Sequence, residues 1–102
     1  DEVAENVRAV ADDVAGAVDD AVTAVLDGDA TQARLARGRR DDAVEGIEAI
    51  ERRLYDGSAS VSVPAAVALS NALSHLHRAA DCGRDVADVA ARTAVRAENI
   101  DT

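Results

Sequence analysis

The chain has 102 residues, with 20 acidic and 11 basic residues and a formal net charge of −9 at pH 7. A chain of this length suits one small domain with a single core, and its negative field and single aromatic residue argue against nucleic-acid binding. Every basic residue is arginine and most acids are Asp, a composition typical of a protein that works in high salt, as in a halophilic archaeon, because counterions screen the self-repulsion.

The first predicted helix covers about residues 2–27. Its apolar residues recur at steps of four and three, which places them on one helix face. These positions are Val3, Val7, Val10, Val14, Ala17, Ala21 and Val25. We expect Gly28 to end the helix in the left-handed conformation and Asp29 to cap the helix that follows.

The second predicted helix covers about residues 30–55 and has the same spacing. Its apolar positions are Ala33, Ala36, Ala43, Ile47, Ile50 and Leu54. Gly38 should weaken this helix by about 1 kcal/mol without ending it. The next segment, Tyr55 to Val63, is rich in Gly and Ser and is predicted to be the linker.

The third predicted helix covers about residues 64–98, with Pro64 at its first position, where the fixed φ of proline is favourable. Its apolar and small residues follow one stripe: Ala66, Leu69, Leu73, Leu76, Ala80, Gly83, Ala87, Ala90, Ala94 and Ala97. Three amphipathic helices joined by one tight turn and one longer linker predict an all-α fold. We expect an antiparallel three-helix bundle, up, down, up, as a single domain over residues 1–102.

Two helices carry residues that could bind a metal ion. His77 and Asp81 are four residues apart, one above the other on the flank beside the core, and Asp88 continues that flank. Because two ligands do not complete a site, Asp41 and Glu45 on the second helix would have to supply the rest. The alternative is that all five are surface acids and a surface histidine of an acidic protein.

The remaining reactive or charged positions have simpler interpretations. We expect His75 to be solvated and Cys82, beside the stripe, to be a buried inert thiol, with metal binding or reactivity as the alternative. Arg37, Arg39 and Arg40 should pair with the acids that follow them, although they could also contact a phosphate or an acidic partner. A single cysteine and no apolar run of membrane-spanning length favour a cytoplasmic protein without membrane insertion.

The third helix resembles the signature of the PhoU family. In "LHRAADCGRDVAD", residues 76–88, the identical positions are Leu76, Arg78, Ala80, Asp81 and Ala87, and the conservative ones are Val86 and Asp88. "AVLDGDATQA", residues 24–33, is similar to the first turn of the family, and "RDDAVEGIEAIERRL", residues 40–54, to its second helix, with Asp41, Val44 and Glu45 in the motif positions. The resemblance covers nearly the whole chain, at the length of one three-helix repeat.

The resemblance implies regulation of phosphate uptake and signalling through transporter and sensor partners, and PhoU-like modules also accompany cation-transport regulators. It also implies a metal cluster held by Glu/Asp-x-x-x-Asp motifs, which fall on His77 and Asp81 and on Asp41 and Glu45. Zinc or iron is the implied metal. Because His77 replaces an acid and Cys82 a histidine of that pattern, the donor set favours zinc or another borderline metal.

We therefore expect a non-catalytic regulatory or interaction module that forms a homodimer or part of a longer chain. A histidine phosphotransfer domain is one alternative, using His75 or His77, but Asp81 has the wrong charge beside a developing phosphate. An all-helical nucleotide pyrophosphohydrolase is another. In that case Mg²⁺ would be held by Glu48 with Glu51 and by Asp85 with Asp88.

Overall fold

The protein is a bundle of three long helices. The structure, a computed structural model, describes residues 2–101, with the side chains of residues 2–96. Helix α1 covers Glu2–Asp27, α2 covers Ala30–Asp56 and α3 covers Val63–Asp101. Each helix packs against the other two, in a rod of 60 × 17 × 17 Å. The predicted all-α three-helix fold is confirmed, and no strand occurs in the part of the chain described.

The turn between α1 and α2 forms as its residue types dictate. Gly28 has a φ of 64°, the left-handed conformation that ends a helix. The Asp29 carboxylate then accepts hydrogen bonds from the amides of Thr31 at 2.9 Å and Gln32 at 3.1 Å. These amides have no partner within the helix, so Asp29 caps the start of α2 as predicted.

The linker between α2 and α3 is shorter than the sequence suggested. Helix α2 continues through Tyr55 to Asp56, and Gly57, with a φ of 79°, ends it. The Ser62 hydroxyl accepts a hydrogen bond from the Ala65 amide at 3.3 Å, so α3 begins at Val63 and not at Pro64. Proline is still tolerated there, because amides of the first turn need no partner within the helix.

The core side chains differ in size along the rod. One half contains the branched side chains Val3, Val10, Val14, Ile47, Ile50 and Leu73. In the other half alanines from all three helices meet, as Ala21, Ala36 and Ala87 and as Ala24, Ala33 and Ala90. Alanines allow the helix backbones to approach closely, which compensates for the small volume of each side chain. Ala97, the last predicted core position, lies outside the described side chains.

Two core assignments from the sequence are wrong. Val25 is exposed, and Ala24 takes its place in the core, because the helix phase favours a step of three after Ala21. Cys82 was expected to be buried but is exposed. It immediately precedes the buried Gly83, and one residue turns an α-helix by about 100°, which directs Cys82 away from the core.

Candidate functional site between helices α2 and α3

Four of the five predicted metal ligands take part in ion pairs along the α2–α3 seam. His77 and Asp81 are one turn apart on α3, with 3.5 Å between Nδ1 and Oδ2. On α2, an arginine forms ion pairs with both Asp41 and Asp81 and so links them. Asp88 lies further along α3 and pairs with a different arginine of α2. Glu45 is exposed and makes no ion pair with any described residue.

Arg40 is the centre of this arrangement. Its Nη1 donates a hydrogen bond to Oδ1 of Asp41 at 2.9 Å, and its Nη2 donates to Oδ1 of Asp81 at 2.5 Å. The Arg40 side chain is only 12% exposed, whereas the two carboxylates are 66% and 53% exposed. The guanidinium therefore occupies the space between the acids of the two helices.

The charges of this cluster stabilise one another. The hydrogen bond from Arg40 holds the pKa of Asp81 below its usual range, against the opposing effect of burial and with smaller contributions from His77. The hydrogen bond to Asp41 and the contact with Asp81 raise the pKa of Arg40, although burial acts in the opposite direction. Arg40 and Asp81 are therefore both charged at neutral pH.

The sequence does indicate that Arg40 is partly buried, but a search for apolar residues alone misses this signal. The α2 core stripe runs through Ala36, Ala43 and Ile47, and Arg40 lies four residues after Ala36 and three before Ala43. This is a core position of the stripe, occupied by a charged residue. A long arginine stem can pack there while the guanidinium reaches the helix flank.

The neighbouring arginines also connect helices. Arg37 Nε lies 3.1 Å from Asp88 Oδ1 on α3, and Arg39 Nη1 lies 3.2 Å from Asp20 Oδ2 on α1. The Arg39 guanidinium lies over Gly16, where an added Cβ would collide with it. The predicted pairing with nearby acids of the same helix is confirmed only for Arg40 with Asp41. Otherwise these arginines bind acids on the other two helices.

The donor set does not fit a metal ion as it is arranged. Within the described residues, no group of three His, Cys, Asp or Glu side chains could hold one. A cationic guanidinium already lies between Asp41 and Asp81, so a divalent ion there would have to displace Arg40. The metal site at His77, Asp81, Asp41, Glu45 and Asp88 stays a prediction.

The two carboxylate pairs of the pyrophosphohydrolase hypothesis lie at different levels of the rod. Core contacts align Ala36 with Ala87 and Ala33 with Ala90, which sets the register of α2 against α3. In that register Glu48 and Glu51 are level with residues 75 and 72, about ten to sixteen residues from Asp85 and Asp88. At 1.5 Å per residue the pairs are roughly 15–24 Å apart, too far to bind one Mg²⁺ cluster.

The family comparison agrees with this fold. The sequence model of the PhoU domain matches residues 7–90, which run from the first turns of α1 to the last alanine core layer of α3. Comparison with curated proteins and with solved structures gave no match. No helix in the described part of the chain is long and apolar enough to cross a membrane.

Proposed function

The chain belongs to the PhoU domain family, and from this premise we propose that it is a non-catalytic module that regulates phosphate or cation transport through protein contacts. The family is associated with the regulation of phosphate uptake and is generally non-catalytic. The observation that carries the proposal is the match over residues 7–90, which covers most of all three helices.

The electrostatics of the α2–α3 seam support a non-catalytic role. An ion pair with an arginine of α2 is formed by each of Asp41, Asp81 and Asp88. The His77 side chain lies beside the carboxylate of Asp81. A general acid or base needs a proton-transfer group open to a substrate and with a pKa near the working pH. The hydrogen bond from Arg40 lowers the pKa of Asp81, away from neutral pH, and the ion pairs of Asp81 and Asp88 with arginines of α2 join the two helices.

The proposal includes the partners and the compartment. We infer a cytoplasmic homodimer that acts on a transporter or on a regulatory protein of the transporter, because a bundle with an Ala- and Val-rich core gains stability by burying another face. The high negative charge disfavours a nucleic-acid partner. It would also favour basic surfaces on a protein partner.

Transport measurements in cells test the regulatory proposal. We would delete the gene in its source organism and follow uptake of labelled phosphate and of labelled rubidium, a tracer for potassium, in phosphate-replete medium. A rise in phosphate uptake that the restored gene reverses would support phosphate regulation, and a change confined to rubidium would support cation regulation. Unchanged uptake of both ions would contradict the proposal.

A further inference from the structure

Positive charge is concentrated at one end of the α2–α3 seam, although the chain as a whole has 20 acidic and only 11 basic residues. The α2 segment at this end, residues 30–40, contains four arginines and no acid. The α3 segment that lies beside it, residues 84–96, contains three arginines and two aspartates. The overall composition does not account for this local excess of positive charge.

The fold brings the two segments together. The alanine layers of the core place them level with each other, and the ion pair between Arg37 Nε and Asp88 Oδ1 marks the side on which they meet. Arg34 lies one turn from Arg37 on α2, and Arg84 and Arg92 lie one turn before and one turn after Asp88 on α3. Three arginines, from both helices, are therefore within reach of one aspartate.

We name five arginines the basic end of the seam: Arg34, Arg37, Arg84, Arg92 and Arg96. All five are exposed. Apart from Arg37, none of them forms an ion pair with a residue that the structure describes. Their guanidinium groups are therefore available to groups outside the chain.

Two aspartates lie among these arginines and reduce their charge without cancelling it. Asp88 is the partner of Arg37. Asp85 is exposed, and it lies seven residues before Arg92, on the same side of α3. Five arginines against two aspartates leave the basic end with an excess of positive charge.

The acids at the borders of the basic end have other partners or face another side. Asp41 and Asp81, the next acids along the seam, both bind the same arginine of α2. In the turn between α1 and α2, the Asp29 carboxylate caps α2. Asp27 lies seven residues after Asp20, which pairs with α2 along the α1–α2 side of the rod. These acids leave the charge of the basic end in place.

An apolar groove lies beside two of the arginines. It is lined by Ala91, Arg92, Val95 and Arg96, and Val95 is 50% exposed. The groove is open to solvent, and no polar side chain is buried among the described residues. A small free anion would keep most of its contact with water there, whereas an apolar side chain flanked by carboxylates would match both the groove and its arginines.

We propose that the basic end binds an acidic segment of the partner protein, in which carboxylates flank an apolar side chain. This inference rests on the proposed function and names the surface that contacts the regulated partner. The apolar side chain would lie against Ala91 and Val95, and the carboxylates would pair with Arg92 and Arg96 and, across the seam, with Arg34. Guanidinium groups suit this role because they form paired hydrogen bonds with carboxylates.

A short protein segment suits the basic end better than an extended polyanion. A membrane surface or a nucleic acid would also meet the acidic remainder of the rod, and the net charge of −9 would repel it. A short segment contacts the basic end alone. Because the rest of the rod favours basic surfaces on the partner, the two contacts together would fix the orientation of the complex.

Two matched double variants test the proposal. Arg92→Glu with Arg96→Glu reverses two charges of the basic end. Arg8→Glu with Arg52→Glu reverses two exposed arginines elsewhere that also make no ion pair with a described residue. Both variants change the net charge equally, so general electrostatic effects are matched. Circular dichroism would verify that both stay helical.

The probe is a fluorescent, alanine-based helical peptide in which glutamates flank a central leucine. By fluorescence anisotropy we expect the unmodified protein and Arg8→Glu with Arg52→Glu to bind this peptide. Arg92→Glu with Arg96→Glu should bind it about tenfold more weakly, because two ion pairs are lost and two repulsions are added. The same peptide with glutamine in place of glutamate should bind the unmodified protein about tenfold more weakly as well.

Several results would overturn the inference. The first is equal binding by the two double variants, or no binding of the glutamate peptide to the unmodified protein. The second is binding of phosphatidylglycerol vesicles in place of the peptide, which would assign the basic end to a membrane. The third is formation of long oligomers that Arg92→Glu with Arg96→Glu disperses, which would assign the basic end to acids of a second copy.

The same variants in cells separate this inference from the proposed function. In a strain without the gene, Arg8→Glu with Arg52→Glu should restore normal ion uptake and Arg92→Glu with Arg96→Glu should not. If the deletion leaves uptake unchanged, the proposed function fails, and the peptide measurement still tests the basic end. If the deletion changes uptake and Arg92→Glu with Arg96→Glu restores it fully, only this inference fails.

Discussion

Arg40 and Asp81 join α2 to α3 by a hydrogen bond of 2.5 Å between Nη2 of the guanidinium and Oδ1 of the carboxylate. Arg40 occupies a core position of the α2 stripe, and its side chain is only 12% exposed. Its Nε is buried and has no hydrogen-bond partner among the described residues. The residue therefore combines favourable packing and pairing with the cost of a buried donor.

The favourable packing and pairing of Arg40 and the unfavourable burial of its Nε predict different effects for two substitutions. Arg40→Ala should lower the free energy of unfolding by about 1–2 kcal/mol, because the packed stem and the bridge between the carboxylates are both lost. Arg40→Met should cost less than about 1 kcal/mol, because Met retains the apolar volume and removes the buried Nε. Urea denaturation in high salt would measure both.

Arg52 provides the control for that comparison. It is an exposed arginine of the same helix without an ion pair among the described residues. Arg52→Ala should therefore change the free energy of unfolding by no more than about 0.5 kcal/mol. If Arg40→Met were as destabilising as Arg40→Ala, the charge and not the packed stem would account for the role of Arg40.

The lowered pKa of Asp81 predicts how stability depends on pH. The hydrogen bond from Arg40 is the main cause of the lowering. Between the folded and the unfolded pKa the unfolded chain binds more protons, so stability should rise with pH there. The contribution of Asp81 is complete above its unfolded pKa and is lost as the pH falls through the folded value. It should be small, because the carboxylate is 53% exposed.

Carboxyl NMR measures this effect at the atom concerned. The pKa of Asp81 should move up toward its usual range in Arg40→Met, because the strongest stabilising hydrogen bond has been removed. In Asp81→Asn the free energy of unfolding should depend less steeply on pH at acid pH. An Asp81 pKa that is the same with and without Arg40 would disprove the attribution to the guanidinium.

The helices were predictable from the sequence because their stripes of Val, Leu and Ala repeat at regular steps and their ends carry glycines and caps. The pairing of Arg40 with Asp41 was predicted, but its core position was not, because a pattern of apolar residues treats an arginine as a surface residue. Its long stem lets it occupy a core position while its charge reaches Asp41 and Asp81. The ion pairs of Arg37 and Arg39 depend on how neighbouring helices are aligned, which the spacing within one helix does not specify.

Gly38 and Gly83 make a matched pair, because both lie inside helices and differ in their surroundings. An added Cβ on Gly38 would meet nothing within 4 Å, whereas on Gly83 it would lie 3.1 Å from Val18 Cγ2 and 3.5 Å from Val18 Cα. Gly38→Ala should stabilise the protein by about 0.5–1 kcal/mol through helix propensity. Gly83→Ala should gain less or destabilise, because the Val18 side chain must move by a few tenths of an ångström.

Thermal unfolding would compare the two glycine variants directly. The midpoint for Gly38→Ala should exceed that of the unmodified protein, and the midpoint for Gly83→Ala should fall below that of Gly38→Ala. Equal midpoints in the two variants would mean that α1 and α3 adjust without cost. The close approach of the helices would then contribute little to stability.

Salt should stabilise the fold. At a net charge of −9 the chain repels itself, and the screening length falls from about 10 Å at 0.1 M to about 3 Å at 1 M salt. Exposed ion pairs weaken at the same time, but each contributes at most about 1 kcal/mol. The midpoint of thermal unfolding should therefore rise with potassium chloride. The double change Asp12→Asn with Asp13→Asn, at two exposed acids of α1, should make that rise smaller.

The predicted metal site can be tested by replacing Arg40, which lies between two of the predicted ligands. The predicted ligands are His77, Asp81, Asp41, Glu45 and Asp88. If they bind zinc or iron, removing the competing guanidinium in Arg40→Ala should tighten binding, because the cation and Arg40 compete for Asp41 and Asp81. Calorimetric titration with zinc in high salt, beside elemental analysis of protein purified without chelators, would measure this.

Additional substitutions in the Arg40→Ala protein separate a specific site from general attraction to an acidic surface. His77→Ala or Asp81→Ala should each abolish the tighter binding, because each removes a donor that the site requires. Arg34→Ala, which removes an exposed arginine near the start of α2, should bind zinc no more tightly than the unmodified protein. If Arg40→Ala and Arg34→Ala bound zinc equally weakly, the metal prediction would be wrong, and the α2–α3 seam would be an arginine–carboxylate bridge alone.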